Sequence, residues 1–186
     1  PRGAAPLPTL GVASTAAPTA TIWGTPELSL AIPPRIGIAY KRLGDSDTIW
    51  VLGDDAQPRT LATGPNIDGE VLVSPDRKWV AYFRNGDLWA VRWDGRDDKL
   101  LVRKESLGID GLPPPPPKTS DVNRAIHDIA WSPDSTRLVF NTWRTGVDLT
   151  VPQALWLEEA DDLWQVTAES GEVRQLLPPG EGGYFT

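Results

Sequence analysis

A nine-residue segment occurs twice in this chain, and that repetition narrows the possible folds more than any other feature. Ser74-Pro75-Asp76-Arg77-Lys78-Trp79-Val80-Ala81-Tyr82 returns as Ser132-Pro133-Asp134-Ser135-Thr136-Arg137-Leu138-Val139-Phe140. Downstream of each copy stands an acidic-apolar-Trp triplet, Asp87-Leu88-Trp89 and Asp162-Leu163-Trp164. A turn follows, Asp94-Gly95 or Ser170-Gly171, and then a closing segment, Lys99-Leu100-Leu101 or Arg174-Gln175-Leu176. A degenerate earlier copy keeps the same order through Ile36–Tyr40, Thr48-Ile49-Trp50, Gly53–Pro58 and Arg59-Thr60-Leu61. Trp50 and Trp89 lie 39 residues apart, Trp89 and Trp164 lie 75 apart. Self-similarity at such a period marks an array of supersecondary units, each too small to bury its own apolar face.

Each unit reads as strand–turn–strand–loop–strand–turn–strand. Short runs rich in Trp, Val, Ile, Tyr and Phe alternate with Asp/Gly/Pro/Ser clusters, the pattern of short strands between tight turns. Candidate strands are Arg35–Lys41, Thr48–Leu52, Arg59–Ala62, Glu70–Ser74, Trp79–Arg84, Asp87–Trp93, Lys99–Arg103, Asp128–Ser132, Arg137–Thr142, Asp162–Thr167 and Val173–Leu177. Only the short, acidic Val151–Asp161 offers a helical candidate. In Ser-Pro-Asp, proline presets φ at the second turn position and the Asp carboxylate can accept from a following N–H. Trp79–Phe83 and Leu138–Phe140 are apolar at consecutive positions, which predicts sheets covered on both faces. Trp50, Trp89 and Trp164 occupy equivalent places and are expected to pack between neighbouring units. A four-stranded antiparallel unit of about 40 residues has the size and plan of a propeller blade. The expected fold class is therefore all-β, with three blades and an incomplete ring, since closed propellers use about four to eight.

The blades are expected at residues 34–66, 67–111 and 127–177, the first degenerate and the third carrying an insertion at 143–161. Residues 1–33, Pro/Ala/Thr-rich with Arg2 and Glu27 as their only charges, read as a flexible linker. Residues 112–126, with five successive prolines at Pro113–Pro117, read as a polyproline connector. Residues 178–186 resemble the start of a further blade, as Ile129-Ala130-Trp131 precedes Ser132. The chain opens on Pro1 and has no Met, so it is expected to be a piece of something longer.

The Ser-Pro-Asp turn followed by a strand and Asp-Leu-Trp resembles the TolB-like, WD-repeat-like β-propeller repeat, over about residues 34–177. In that family the turn usually ends in Gly. Arg77 and Ser135 hold the slot here, which opens the way to a different turn geometry. The resemblance implies a non-catalytic binding or scaffold propeller of a secreted or envelope-associated protein, so an extracytoplasmic location. Its protein or glycan partner would meet loops at the channel mouth or rim. An alternative implication is a substrate-gating propeller preceding the catalytic domain of a prolyl-oligopeptidase-like serine peptidase.

Charge and composition trim the remaining options. A net charge of −7 without a basic patch disfavours nucleic acid. No run of about 18 apolar residues exists to span a bilayer. With no Cys and one His, His127, thiolate sites and His pairs are excluded. Ser74 and Ser132 are accounted for by turns and no G-x-S-x-G elbow occurs, so no catalytic residue, metal or cofactor is expected. Acidic pairs at Asp45/Asp47, Asp54/Asp55 and Glu158/Glu159 read as solvated loop carboxylates. Within the insertion, Glu158, Glu159, Asp161 and Asp162 form the first-choice partner contact, because insertions carry function more often than the scaffold does. The missing blades are expected from a further C-terminal part or from oligomerisation.

Overall fold

A computed structural model describes residues 37–55, 57–108, 112, 118–150 and 154–182. Within them the chain is all-β, with one 3-10 turn at Lys104–Leu107 as its helical element. Three antiparallel sheets follow one another in sequence. The first contains β1 (Ile38–Tyr40), β2 (Thr48–Leu52) and β3 (Pro58–Thr63); the second, β4 (Ile67–Val73), β5 (Trp79–Arg84), β6 (Asp87–Arg92) and β7 (Lys99–Val102). The third contains β8 (Thr119–Trp131), β9 (Arg137–Asp148), β10 (Ala154–Glu159), β11 (Leu163–Thr167) and β12 (Val173–Leu177). Together they form an open series of blade-like sheets.

The repeated turns are built alike. The Ser74 hydroxyl donates to Asp76 Oδ1 at 2.7 Å and accepts the Trp79 N–H at 3.0 Å. Ser132 does the same with Asp134 at 2.6 Å and the Arg137 N–H at 3.0 Å. Arg77 and Ser135 both take the left-handed conformation, φ 59° and 62°, so the turn keeps its shape without glycine. The Ser135 hydroxyl also accepts the Asp76 N–H at 2.9 Å, which ties one sheet's turn to the next.

Two apolar cores separate the three sheets. Between the first and second lie Ile49, Val51, Leu61, Val80, Tyr82 and Val91, with Trp89 packed against them. Between the second and third lie Ala81, Phe83, Leu88, Leu101, Leu138 and Phe140, with Trp164 packed against them. The second sheet thus sends alternate residues of β5 to opposite neighbours, and Trp79–Phe83 are all buried. Its consecutive apolarity follows from that placement. In β9 the expectation of two covered faces is only half met, because Leu138 and Phe140 are buried while Val139 between them is half-buried. Each fully buried side chain of this size is worth about 1.5–3 kcal/mol of transfer free energy.

Polar ties reinforce the junctions. Arg84 donates to the Thr63 carbonyl at 3.0 Å, and Arg59 donates to the Trp93 carbonyl at 2.9 Å. On the other side, Trp131 donates to the Leu72 carbonyl at 3.1 Å, and Lys99 to the Glu169 carbonyl at 2.7 Å.

Two expectations need correction. Val151–Asp161 contains a strand, β10, rather than a helix, because its described part pairs along β9 from Ala154–Asp148 to Glu159–Trp143. The connector expected at 112–126 gives way to β8 from Thr119 onward, whose polar N-terminal half is held by pairing with β9. The five prolines, residues 1–36 and residues 183–186 lie outside the described part.

Candidate functional site

The third sheet departs from the plan of the second. Residues Arg137–Phe140 of β9 pair with β11, as β5 pairs with β6. Past that point β9 continues to Asp148, flanked by β8 on one side and β10 on the other. The result is a three-stranded arm that outruns β11. Leu149 and Leu157 are exposed there, at 63% and 51%. No strand among the described residues pairs with the outer edge of β10.

A buried polar network fixes the base of the arm. Asp162 accepts the Thr142 N–H at 2.9 Å, the Thr142 hydroxyl at 2.8 Å and the Trp164 indole N–H at 2.8 Å. It also pairs with Arg124, and both side chains are sealed from solvent. Arg124 in turn donates to the Gly108 carbonyl at 2.9 Å and to the Thr142 hydroxyl at 3.1 Å. The Asp162–Arg124 pair therefore joins β8, β9, β11 and the segment after the 3-10 turn. A buried pair of this kind is retained when its remaining hydrogen bonds are satisfied, as here.

Beside the network opens a cleft of about 550 Å³. Lys104 and Glu105 line one side, and Val122, Asn123, Arg124 and Thr145 line the other. Lys104 is positioned by its Nζ donating to the Asn85 carbonyl at 2.9 Å and its N–H donating to Asp87 at 2.9 Å. The cleft combines apolar wall, fixed cation and carboxylate, a mixture suited to a peptide segment.

The expected contact residues separate into different roles. Glu158 lies on β10, about half exposed, and pairs with Arg144. Glu159 stands opposite Trp143 in the ladder and is half-buried. Asp161 is exposed, at φ 49°, in the turn that leads into β11. Asp162 is completely buried, so it cannot touch a partner and instead holds the arm. Arg124 was hidden from sequence reading inside the presumed connector. Its one signal was Asp162 standing where Asp87 stands, two residues before the repeated Trp.

The other acidic pairs hold nearby backbone, a strand tryptophan and the link between β3 and β4. Asp45 accepts the Trp50 indole N–H at 3.1 Å, and that bond leads the effects holding its carboxyl below the usual range. Asp47 accepts the Asn66 N–H at 3.1 Å, and Asp55 the Gln57 N–H at 3.1 Å. Among the described residues no group of three or more His, Cys, Asp or Glu side chains is arranged to hold a metal. His127 stacks on Trp143 with centroids 3.8 Å apart. No helix among the described residues is long and apolar enough to cross a membrane.

The class of fold is thus an all-β series of antiparallel, blade-like sheets. No family model matches the chain, and no curated protein matches it. Among solved structures it is similar to a putative TolB from Agrobacterium tumefaciens, at 20% identity and a TM-score of 0.41. That match covers 80% of this chain and 48% of the other. It is also similar to a chain of a nidogen/laminin complex, at 14% identity and a TM-score of 0.37, covering 72% of this chain and 52% of that one. The chain spans about half the length of each of these structures.

Proposed function

We propose that this chain is a non-catalytic, protein-binding module of an extracytoplasmic protein, and that it engages its partner along the arm of the third sheet. The observation that carries the reading is the unpaired outer edge of β10 with Leu157 exposed and Glu158 about half exposed beside it. An open strand edge is a template for an extended peptide, with main-chain bonds giving affinity and alternate side chains giving selectivity. Leucines at 149 and 157 and carboxylates at 158 and 159 select an extended segment that alternates apolar and basic residues. The extracytoplasmic location rests on the sequence resemblance.

Selection from a displayed peptide library, followed by calorimetry, tests the reading. The expected binders are extended, basic-apolar sequences whose affinity falls at least tenfold in a Leu157→Asp/Glu158→Lys variant. Binders of random composition, or binders indifferent to that variant while its β-sheet circular dichroism is unchanged, would overturn it.

A further inference from the structure

The ladder between β9 and β10 decides which backbone groups of the open edge face outward. The Ala160 N–H donates to the Thr142 carbonyl at 2.9 Å, directly after the last pair of that ladder, Glu159–Trp143. In an antiparallel pair, successive residues turn their N–H and C=O alternately toward and away from the partner strand. The pairing runs from Ala154 to Glu159 without a bulge, so Glu158 also turns its groups toward β9. Leu157 and Glu159 turn theirs away. The far side of β9 agrees. There the Leu149 N–H donates to the Lys118 carbonyl at 2.9 Å, so Leu149 serves β8 and its neighbour Asp148, opposite Ala154, serves β10.

Side chains follow the same alternation. Leu157 and Glu159 share one face with Thr145 and Trp143, and Glu158 shares the other with Arg144. The two carboxylates differ in what they already hold. Glu158 is ion-paired with Arg144, whose side chain is 5% exposed. Glu159 is half-buried, and its carboxylate has neither a hydrogen bond nor an ion pair among the described residues. A cation arriving beside Glu158 meets a charge that is already compensated. One arriving beside Glu159 meets an acid that still lacks a counter-charge, so electrostatic complementarity selects that position.

We propose, resting on β10 as the docking edge, that the bound segment lies antiparallel to β10 with a basic residue opposite Glu159 and an apolar residue opposite Leu157. Its anchors then read basic–x–apolar in chain order, and the alternation of basic and apolar falls along one face of the segment. Every strand pair of the described residues is antiparallel, and an antiparallel addition makes the more stable ladder. The occupant is a segment of another protein with this pattern, because Leu157 and Glu159 are complementary to it in polarity and charge.

NMR on the full chain, by amide exchange and by titration, tests this. In the free chain the Leu157 and Glu159 amides should exchange quickly and the Glu158 and Ala160 amides slowly. A capped Thr-Lys-Thr-Leu-Thr peptide should slow the first two, and the order-reversed Thr-Leu-Thr-Lys-Thr should bind more weakly. N-methylation of the peptide's Lys or Leu should cost about tenfold in affinity, and N-methylation of the central Thr should cost little, since only the first two amides face β10. Glu159→Gln should weaken the peptide about threefold, and should not weaken a peptide with norleucine in place of Lys. Leu157 and Glu159 amides that are protected in the free chain would overturn the proposal, because the edge would then be covered by the chain's own polypeptide. Binding at the Leu157 amide that is equal for both peptide orders, or indifferent to which amide is methylated, would overturn this register while leaving β10 as the docking edge. A peptide that fails to bind, or binds without slowing the Leu157 amide, would overturn both.

Discussion

Arg77 and Ser135 hold φ values that a β-carbon resists, at a cost of about 1–2 kcal/mol each. They are tolerated because the Ser and Asp side chains of the same turn fix the backbone around them. Arg77→Gly should therefore keep the turn's shape and relieve that strain, the relief being partly offset by glycine's freedom in the unfolded chain. Ser135→Gly should show no gain, because it also removes the acceptor of the Asp76 N–H. Urea unfolding of the two variants checks the contrast. Protonation reads out the same turn. Bonds from the Ser132 hydroxyl, the Thr136 N–H and the Thr136 hydroxyl lower Asp134 from its ordinary 3.8 to about 2. Its folded-state value lies below the unfolded one, so its contribution is present above pH 3.8 and fades as pH falls toward 2. Ser132→Ala should move the Asp134 carboxyl upward in an NMR titration and shift acid unfolding to higher pH.

Among the elements, those whose residues already suit a strand were legible in the sequence. Thr48–Leu52, Trp79–Arg84 and Val173–Leu177 stand where expected, because β-branched and aromatic residues bounded by turn formers decide a strand locally. The arm was not legible. Residues 119–127 are mostly polar, and their strand exists only because β9 supplies a partner. β10 carries two leucines and two glutamates that favour helix as readily as strand, and the ladder with β9 decides between them. Asp162 looked like a surface acid because its four donors come from residues far apart in sequence or hidden in the indole of Trp164. Its removal gives a sharp test. Asp162→Ala leaves Arg124 buried without its counter-charge and should cost about 3–5 kcal/mol, whereas an Arg124→Met/Asp162→Leu double substitution should recover most of that loss. Thermal unfolding gives the energies. Faster amide exchange in β8 and β10 than in β5 of the single variant would locate the damage in the arm.

At the scale of the whole molecule, the second sheet is the keystone, because each of its faces fills a core. The first and third sheets each place one face inward, and β2 shows the consequence as strict alternation, with Ile49 and Val51 buried and Trp50 half-buried between them. In a linear series, stability is close to a sum of unit and neighbour terms, so equivalent residues differ by whether a neighbour is present. Leu61, Leu101 and Leu176, the extra residue at the bulge of each sheet, isolate that term, since register and residue type are held constant. Leu101→Ala removes a side chain from a filled junction and should cost about 2–5 kcal/mol. Leu176→Ala removes the same atoms from a partly exposed site and should cost less than about 1 kcal/mol. Urea unfolding of both variants measures the two losses. A Leu176→Ala penalty as large as that of Leu101→Ala would show that burial against a neighbouring sheet is not what separates the equivalent leucines.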